Sequence, residues 1–323
     1  MKPYVLGIDI GGTNTVFGIV DARGNVIASS SIKTQRHADF YQYLDELHAE
    51  ATKLIEANDA TDKIQGIGIG APNANYYTGR IENAVNLPWT SINLAELVSE
   101  KFGIPVAITN DANAAALGEM TYGAARGMKD FIMITLGTGV GSGIVINGQM
   151  VYGANGFAGE LGHVIVKRNN GRLCGCGRTG CLETYCSATG VARTAREFLE
   201  ARNEPSLLRN LDINSITSKD VYDAAIQDDK LAKDIFEYTG TILGEAMADM
   251  VSFSAPEAFI LFGGLSKSGD LLLKPVCAAL ERNLLPCFKG LGKVILSELK
   301  EADAAVLGAS ALGWEAKRVS ETN

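Results

Sequence analysis

A strand, a glycine turn and a returning strand occur twice in this chain, and that duplication constrains the fold more than any other feature. In the first copy Tyr4-Val5-Leu6-Gly7-Ile8-Asp9-Ile10 has the apolar content of a strand. Gly11-Gly12-Thr13-Asn14 turns the chain, and Val16-Phe17-Gly18-Ile19-Val20 returns it. In the second copy residues 131–136 form the strand, Gly137-Thr138-Gly139 the turn and Gly143-Ile144-Val145-Ile146 the return. With a one-residue gap, Ile8-Asp9-Ile10-Gly11 aligns with Ile134-Thr135-Leu136-Gly137, and Gly18-Ile19-Val20 with Gly143-Ile144-Val145. Two glycine hairpins can look alike by chance, but the elements around them also run in the same order. After the first, a helix is expected from about residue 39, strands at 64–70 and 105–109, and a helix over 111–125. After the second, helices are expected near 179–204, 218–227 and 231–253. A strand at 258–262, a helix over 270–285, a strand at 294–296 and a last helix from about residue 302 complete the pattern.

The fold class is therefore α/β, with two similar halves around a central cleft. One half covers residues 1–120 and is joined by the C-terminal helix at about 302–318; the other covers 121–301. A chain of 323 residues with 46% hydrophobic and 20% charged residues can bury two such cores. The net charge of −8 argues against nucleic acid or an anionic membrane as partner, because neutralising phosphate needs clustered Lys and Arg. The longest uncharged run, residues 131–159, holds eight glycines and reads as strands and turns instead of a membrane helix. No basic-then-apolar leader precedes Asp9, so a cytoplasmic location is expected.

Three glycine turns suit phosphate binding. Asp9 sits at a strand end beside Gly11, Gly12, Thr13 and Asn14, where backbone amides can approach an anion and Thr13 and Asn14 add donors. A carboxylate there repels phosphate unless it holds Mg²⁺, which is the role expected of Asp9. Gly137, Thr138 and Gly139 are the matching turn of the second half. Gly263 and Gly264 form a third turn between a strand and a helix, suited to a nucleoside or α-phosphate. Neither a Walker A pattern nor a G-x-G-x-x-G follows the first strand, which removes P-loop and dinucleotide readings.

His163, Cys174, Cys176 and Cys181 form a four-ligand set with short spacers, a donor set suited to tetrahedral Zn²⁺. With all four positions filled the ion would be structural. The alternative is a group of reduced, buried cysteines, and Cys186 is a possible substitute ligand within a helix.

The paired hairpins resemble the actin-like ATPase superfamily, whose two ribonuclease H-like halves pinch the phosphates of ATP. Within it the chain resembles the ROK (repressor, ORF, kinase) family of sugar kinases. The match lies in the opening Asp-x-Gly-Gly-Thr, the Glu160-Leu-Gly-His163 element and the Cys-x-Cys-Gly-x-x-Gly-Cys-x-Glu element ending at Glu183, and it runs from residue 5 to about 312. The resemblance implies an ATP-dependent kinase acting on the 6-hydroxyl of a hexose, with Mg²⁺ and a structural Zn²⁺ in a segment at 163–181. It further implies that Asp111 is the general base, although an Asp opening a helix could equally be its N-cap. Asn110, Glu160, His163 and Glu183 would bind the other hydroxyls, with one ring nitrogen of His163 on zinc and the other on the sugar. Gly79, Arg80 and Asn86 would border the sugar; Arg80 could equally be a solvated charge. Asn-Leu-Pro-Trp at 86–89 resembles the loop of glucokinases, so glucose is expected before N-acetylmannosamine or N-acetylglucosamine. Family kinases are commonly dimers, and a homodimer is expected. Repressors of the family carry a helix-turn-helix domain ahead of the first glycine loop, for which Asp9 leaves no room.

Overall fold

The computed structural model describes residues 2–84, 87–89 and 91–316. The first half opens with β1 (Tyr4–Ile10), β2 (Asn14–Asp21) and β3 (Val26–Lys33), a meander, followed by α1 (Phe40–Ala57) and β4 (Ile64–Gly70). A two-stranded ribbon, β5 (Ile81–Glu82) with β6 (Ser91–Ile92), precedes α2 (Leu94–Phe102), β7 (Val106–Thr109) and α3 (Asp111–Tyr122). The second half repeats the plan with β8 (Phe131–Leu136), β9 (Val140–Ile146) and β10 (Gln149–Met150). Helices α4 (Glu183–Cys186), α5 (Ala188–Ala201), α6 (Ser218–Ala225) and α7 (Lys230–Ser254) come next. They are followed by β11 (Ala258–Phe262), α8 (Asp270–Asn283), β12 (Lys293–Leu296) and α9 (Glu301–Gly313).

The two large sheets have one topology. Their orders are β3-β2-β1-β4-β7 and β10-β9-β8-β11-β12. In each, the opening strand lies at the centre, antiparallel to the next strand and parallel to the later ones. Asp9 and Thr135 hold the same place, next to last on the central strand. Each half has its own core. Helix α1 buries Phe40, Tyr43, Leu44, Leu47, Ala51 and Ile55 along one stripe, each large side chain contributing about 1.5–3 kcal/mol. In the second half α5, α7 and α8 cover β8 and β11 around Ile134, Phe236, Met247 and Phe259.

Helix α9 returns to the first sheet and lies on β1 and β4. The alternation of Gly with apolar residues in β4 is what lets it do so: a Cβ on Gly68 would stand 1.9 Å from the carbonyl oxygen of Ala309. Among the described residues no helix is long and apolar enough to cross a membrane.

One local expectation needs correction. The helix expected over 179–204 is broken: Gly180 has φ +82°, Cys181 pairs with Ile165 in a β-bridge, and Ser187 is extended between α4 and α5. Ser187 instead caps α5, its hydroxyl accepting from the amide of Gly190 at 3.0 Å. As expected, α8 starts at Asp270; a 3₁₀ turn, Gly264–Ser268, fills the space after Gly263.

Candidate functional site

The cleft between the sheets is built on the junction from β7 to α3. Asn110, not Asp111, is the N-cap: its Oδ1 accepts from the amide of Asn113 at 2.7 Å. Asp111 is the first helical residue, exposed, with Oδ1 accepting only from the adjacent amide of Ala112 at 2.9 Å. The conflict between capping and chemistry expected at Asp111 therefore does not arise. The cap uses the oxygen of Asn110 and leaves its amide hydrogens for a ligand.

Asp9 faces Asp111 across Gly70. A Cβ on Gly70 would lie 3.4 Å from Oδ1 of Asp9 and 3.9 Å from the Cα of Asp111. Burial, and then the charge of Asp111, push the Asp9 carboxyl up to about 7. A carboxylate held out of water beside a second one fits an oxygen-seeking divalent cation such as Mg²⁺. Nearby, the β1–β2 turn closes with the amide of Gly11 donating to the carbonyl of Asn14 at 3.0 Å. Lys33 donates to Oδ1 of Asn14 at 2.7 Å, a cation beside the turn that no motif announced.

The β8–β9 turn closes in the same way, the amide of Gly137 donating to the carbonyl of Gly139 at 3.0 Å. It is also tied down from outside. The carbonyl of Gly137 accepts from the amide of Ala188 at 2.8 Å, and that of Thr138 from the hydroxyl of Thr189 at 2.8 Å. Oε2 of Glu183 accepts from the amide of Val140 at 3.0 Å, and a Cβ on Gly139 would stand 2.3 Å from that oxygen. Gly263, at φ +101°, packs against the same strand end, where a Cβ would meet the carbonyl of Leu136 at 2.6 Å.

Glu160 and His163 complete the wall. The hydroxyl of Ser142 donates to the carbonyl of Gly159 and accepts from the amide of Leu161 at 3.2 Å, which fixes the loop carrying both. Burial raises the Glu160 carboxyl; His163 opposes this, and Asp111 and Glu183 add to it. Asn110, Asp111, Gly137, Thr138, Gly139, Glu160, His163, Glu183 and Gly263 line one cavity of about 530 Å³. Asn73, Ser142 and Phe157 line it too, and no sequence pattern marked them.

Residues 11–14 do not line that cavity, nor do Gly79 and Arg80. Gly79 turns the chain at φ +65°, and Arg80 donates to the hydroxyl of Ser91 at 3.1 Å across the β5–β6 ribbon. Asn86 lies outside the described residues. Gly264 lines a separate cavity of about 360 Å³ with Ser218, Lys219, Tyr222, Phe236 and Lys267. Lys267 and Gly263 both border a third, smaller space between that cavity and the cleft. The side chains from α6 and α7 could not be found by motif, because they come from helix faces distant in sequence.

The ligand atoms of His163, Cys174, Cys176 and Cys181 lie within 4.8 Å of one another. Sγ of Cys174 is 3.7 Å from Nδ1 of His163, and Sγ of Cys176 is 3.6 Å from that of Cys181. Thiolates about 2.3 Å from a tetrahedral zinc ion stand about 3.8 Å apart, so the donor set fits the ion. A hydrogen bond from the backbone of Arg178 leads the effects that bring the Cys176 thiol down to about 6, while burial raises Cys174 and Cys181. Cys186 is not part of the set: it is fully buried, with its thiol 3.6 Å from the carbonyl of Thr239. Nδ1 of His163 belongs to the cluster while its side chain also lines the cleft, so the cluster forms part of the cleft wall.

The chain as a whole is similar to known proteins. The description of the ROK family matches residues 5–316. A glucokinase from Halalkalibacterium halodurans is 38% identical over 319 residues, covering 98% of this chain and 95% of that protein. A xylose repressor from Caldicellulosiruptor bescii is 30% identical over 311 residues, 95% of this chain and 77% of that protein. The crystal structure of a ROK family glucokinase from Streptomyces griseus, in complex with glucose and AMPPNP, is similar with a TM-score of 0.79 and 34% identity, covering 97% of this chain and 99% of that one. With paired glycine turns, a His–Cys₃ cluster in the cleft wall and a match over almost its whole length, this chain belongs to the ROK family.

Proposed function

We propose that this protein is a hexose kinase that transfers the γ-phosphoryl group of ATP to the 6-hydroxyl of glucose. The observation that carries the reading is the carboxylate of Asp111. It is freed from capping by Asn110 and lies in one cleft with Glu160, His163 and Glu183, facing the Gly137–Gly139 turn.

Asp111 accepts the hydroxyl proton as O6 attacks the γ-phosphorus. The new O6–P bond forms as the bond to the β-phosphate oxygen breaks, and ADP leaves with the electron pair. The amide hydrogens of Asn110 and the side chains of Glu160, His163 and Glu183 hold the other sugar hydroxyls and so aim O6. Such orientation supplies a large part of the rate. Backbone amides of the turns at 11–14 and 137–139 receive the phosphates, and the cavity beyond Gly264 accepts the nucleoside. Asp9 would hold Mg²⁺, which spreads the phosphate charge. His163, Cys174, Cys176 and Cys181 would hold Zn²⁺, which supplies rigidity and fixes the ring of His163. The two halves act as domains, residues 1–120 with α9 and residues 121–301, closing on the substrates. A thiol-rich metal set suits a reducing compartment, consistent with a cytoplasmic enzyme.

A coupled assay of ADP release over a panel of hexoses and N-acetylhexosamines, with zinc analysis of the same preparation, tests the reading. Glucose is expected to give the highest kcat/KM. Preference for N-acetylmannosamine or N-acetylglucosamine would keep the chemistry and change the substrate. Sugar binding with no turnover would favour a regulator of the repressor kind.

A further inference from the structure

The reaction proposed above needs two halves to close on each other. Among the described residues the chain passes between them twice, from α3 to β8 over residues 123–130 and from β12 to α9 over residues 297–300. Glu119, three residues before the end of α3, reaches both passages. It is 0% exposed, and no step of the chemistry uses it. Its Oε2 accepts from the amide of Ala124, on the first passage, at 2.7 Å. Its Oε1 accepts from the hydroxyl of Ser297, on the second. Burial raises the Glu119 carboxyl, and the hydrogen bonds from Ser297 and from the amides of Ala124, Glu298 and Leu299 oppose this; the amide of Leu299 also donates to the hydroxyl of Ser297 at 3.2 Å.

The surroundings are shaped to this carboxylate. A Cβ on Gly123 would stand 2.1 Å from Oε2, so a side chain there would displace the carboxylate from its partners. One residue before Glu119, a Cβ on Gly118 would lie 2.9 Å from the Cα of Gly308, which brings α3 and α9 into backbone contact beside the two passages. A buried charge is costly and is retained only with good partners. Here the partners come from two chain segments about 170 residues apart, of which Ser297 and Leu299 also line the small space bordered by Gly263 and Lys267.

We propose that Glu119 is a positioning residue: its carboxylate pins the two inter-half passages at one point, and the halves turn about that point when the cleft closes. A charge-assisted hydrogen-bond set is short and directional, yet permits rotation about the shared oxygen atoms. The passages then bend together, and closure brings the turns at 11–14 and 137–139 to the same relative position in each cycle. The inference rests on the kinase reading for its kinetic consequence but not for its geometry.

The test compares the unaltered protein with Glu119→Gln and Ser297→Ala. Kinetics over both substrates, thermal melting, and small-angle scattering with and without glucose plus AMPPNP are measured. The pivot predicts that Glu119→Gln lowers kcat at least tenfold and reduces the ligand-driven fall in radius of gyration. Ser297→Ala, which removes one donor, lowers kcat two- to fivefold in the same direction. A lowered Tm with kcat, both KM values and compaction unchanged in the folded protein overturns the proposal. Should Glu119→Gln not fold, Ser297→Ala decides by the same readings. Turnover by the unaltered protein tests the kinase reading separately. Without turnover, compaction that the variants weaken still supports the pivot, and compaction that is absent or unaffected by them overturns it.

Discussion

The β1–β2 and β8–β9 turns have the same backbone plan and different surroundings. Both follow the central strand of a five-stranded sheet, and both close with an amide-to-carbonyl bond of 3.0 Å. The first has Asp9 beneath it, a carboxyl pushed up to about 7, and Lys33 at its side. The second has Thr135 in the place of Asp9, and its hydroxyl accepts from the amide of Gly141 at 3.1 Å. It is held further by Ala188, Thr189 and Glu183. On the proposed reading the first turn suits a cation and the second is tied to the wall formed by Glu183. The duplicated fold would then supply two places for phosphate, and the departures from symmetry the chemistry.

The junctions after β7 and β12 diverge in the same manner. The first presents Asn110 and Asp111 to the cleft, and its Asp should dominate any set of variants. Asp111→Asn is expected to lower kcat by about 10³-fold or more, with circular dichroism and zinc content unchanged. A loss of less than tenfold would remove Asp111 as the base.

Asp9→Asn tests the asymmetry between the turns next, with an expected loss of about 10²-fold in kcat that excess Mg²⁺ does not restore. Its effect on stability has the opposite sign. The folded carboxyl titrates near 7 and the unfolded one near 3.8, so the folded protein holds the extra proton between those values. The stability this contributes is complete below pH 4 and is lost as pH rises through 7. The difference in Tm between Asp9→Asn and the unaltered, nucleotide-free protein should therefore grow in favour of the variant from pH 5 to pH 8. The linked free energy behind it is at most about 4 kcal/mol. A difference independent of pH would show that Asp9 carries no such burden.

Metal removal should separate the halves. Chelation is expected to lower the apparent affinity for glucose about tenfold and to lower Tm, because His163 loses its fixed ring. The core around Phe236 and Phe259 should persist, since Arg172 also brackets the segment. Arg172 bonds the carbonyl of Thr184 at 2.6 Å, Thr194 at 2.9 Å and the carboxylate of Glu197. Far-ultraviolet dichroism retained after chelation checks this point; its collapse would make the ion essential to the fold.

The smallest effects compare glycines within one turn. Gly139→Ala drives a methyl group into Glu183 and should raise KM for sugar and nucleotide together by about tenfold. Gly137→Ala meets nothing within 4 Å and should change either by less than threefold. Equal effects of the two substitutions on KM would break the link between Glu183 and the turn.

Much of the site was legible because its signals are local. Glycine turns after apolar strands and a His–Cys₃ spacing announce themselves within a few residues, whereas the Asn-Asp pair at a strand end is read through the family resemblance. What escaped depends on contacts between distant segments. The break at Ser187 was hidden because residues 183–201 have good helix composition, and it appears only once Cys181 pairs with Ile165. The cavity lined by Lys219, Tyr222 and Phe236 escaped because helix faces meet there only after α6 and α7 pack.

The sequence by itself determined the two strand–turn–strand units, the four-residue His–Cys₃ donor set and Asp9 beside its glycine turn, since each follows from residue type and short spacing. Tertiary structure alone decided that Asn110 caps α3 and frees Asp111, that Glu183 grips the second turn, and that Glu119 joins the two passages. The physical reason is that a carboxylate has several possible partners in an unfolded chain. Packing selects among them by deciding which donors it can reach and which of its oxygens lose water.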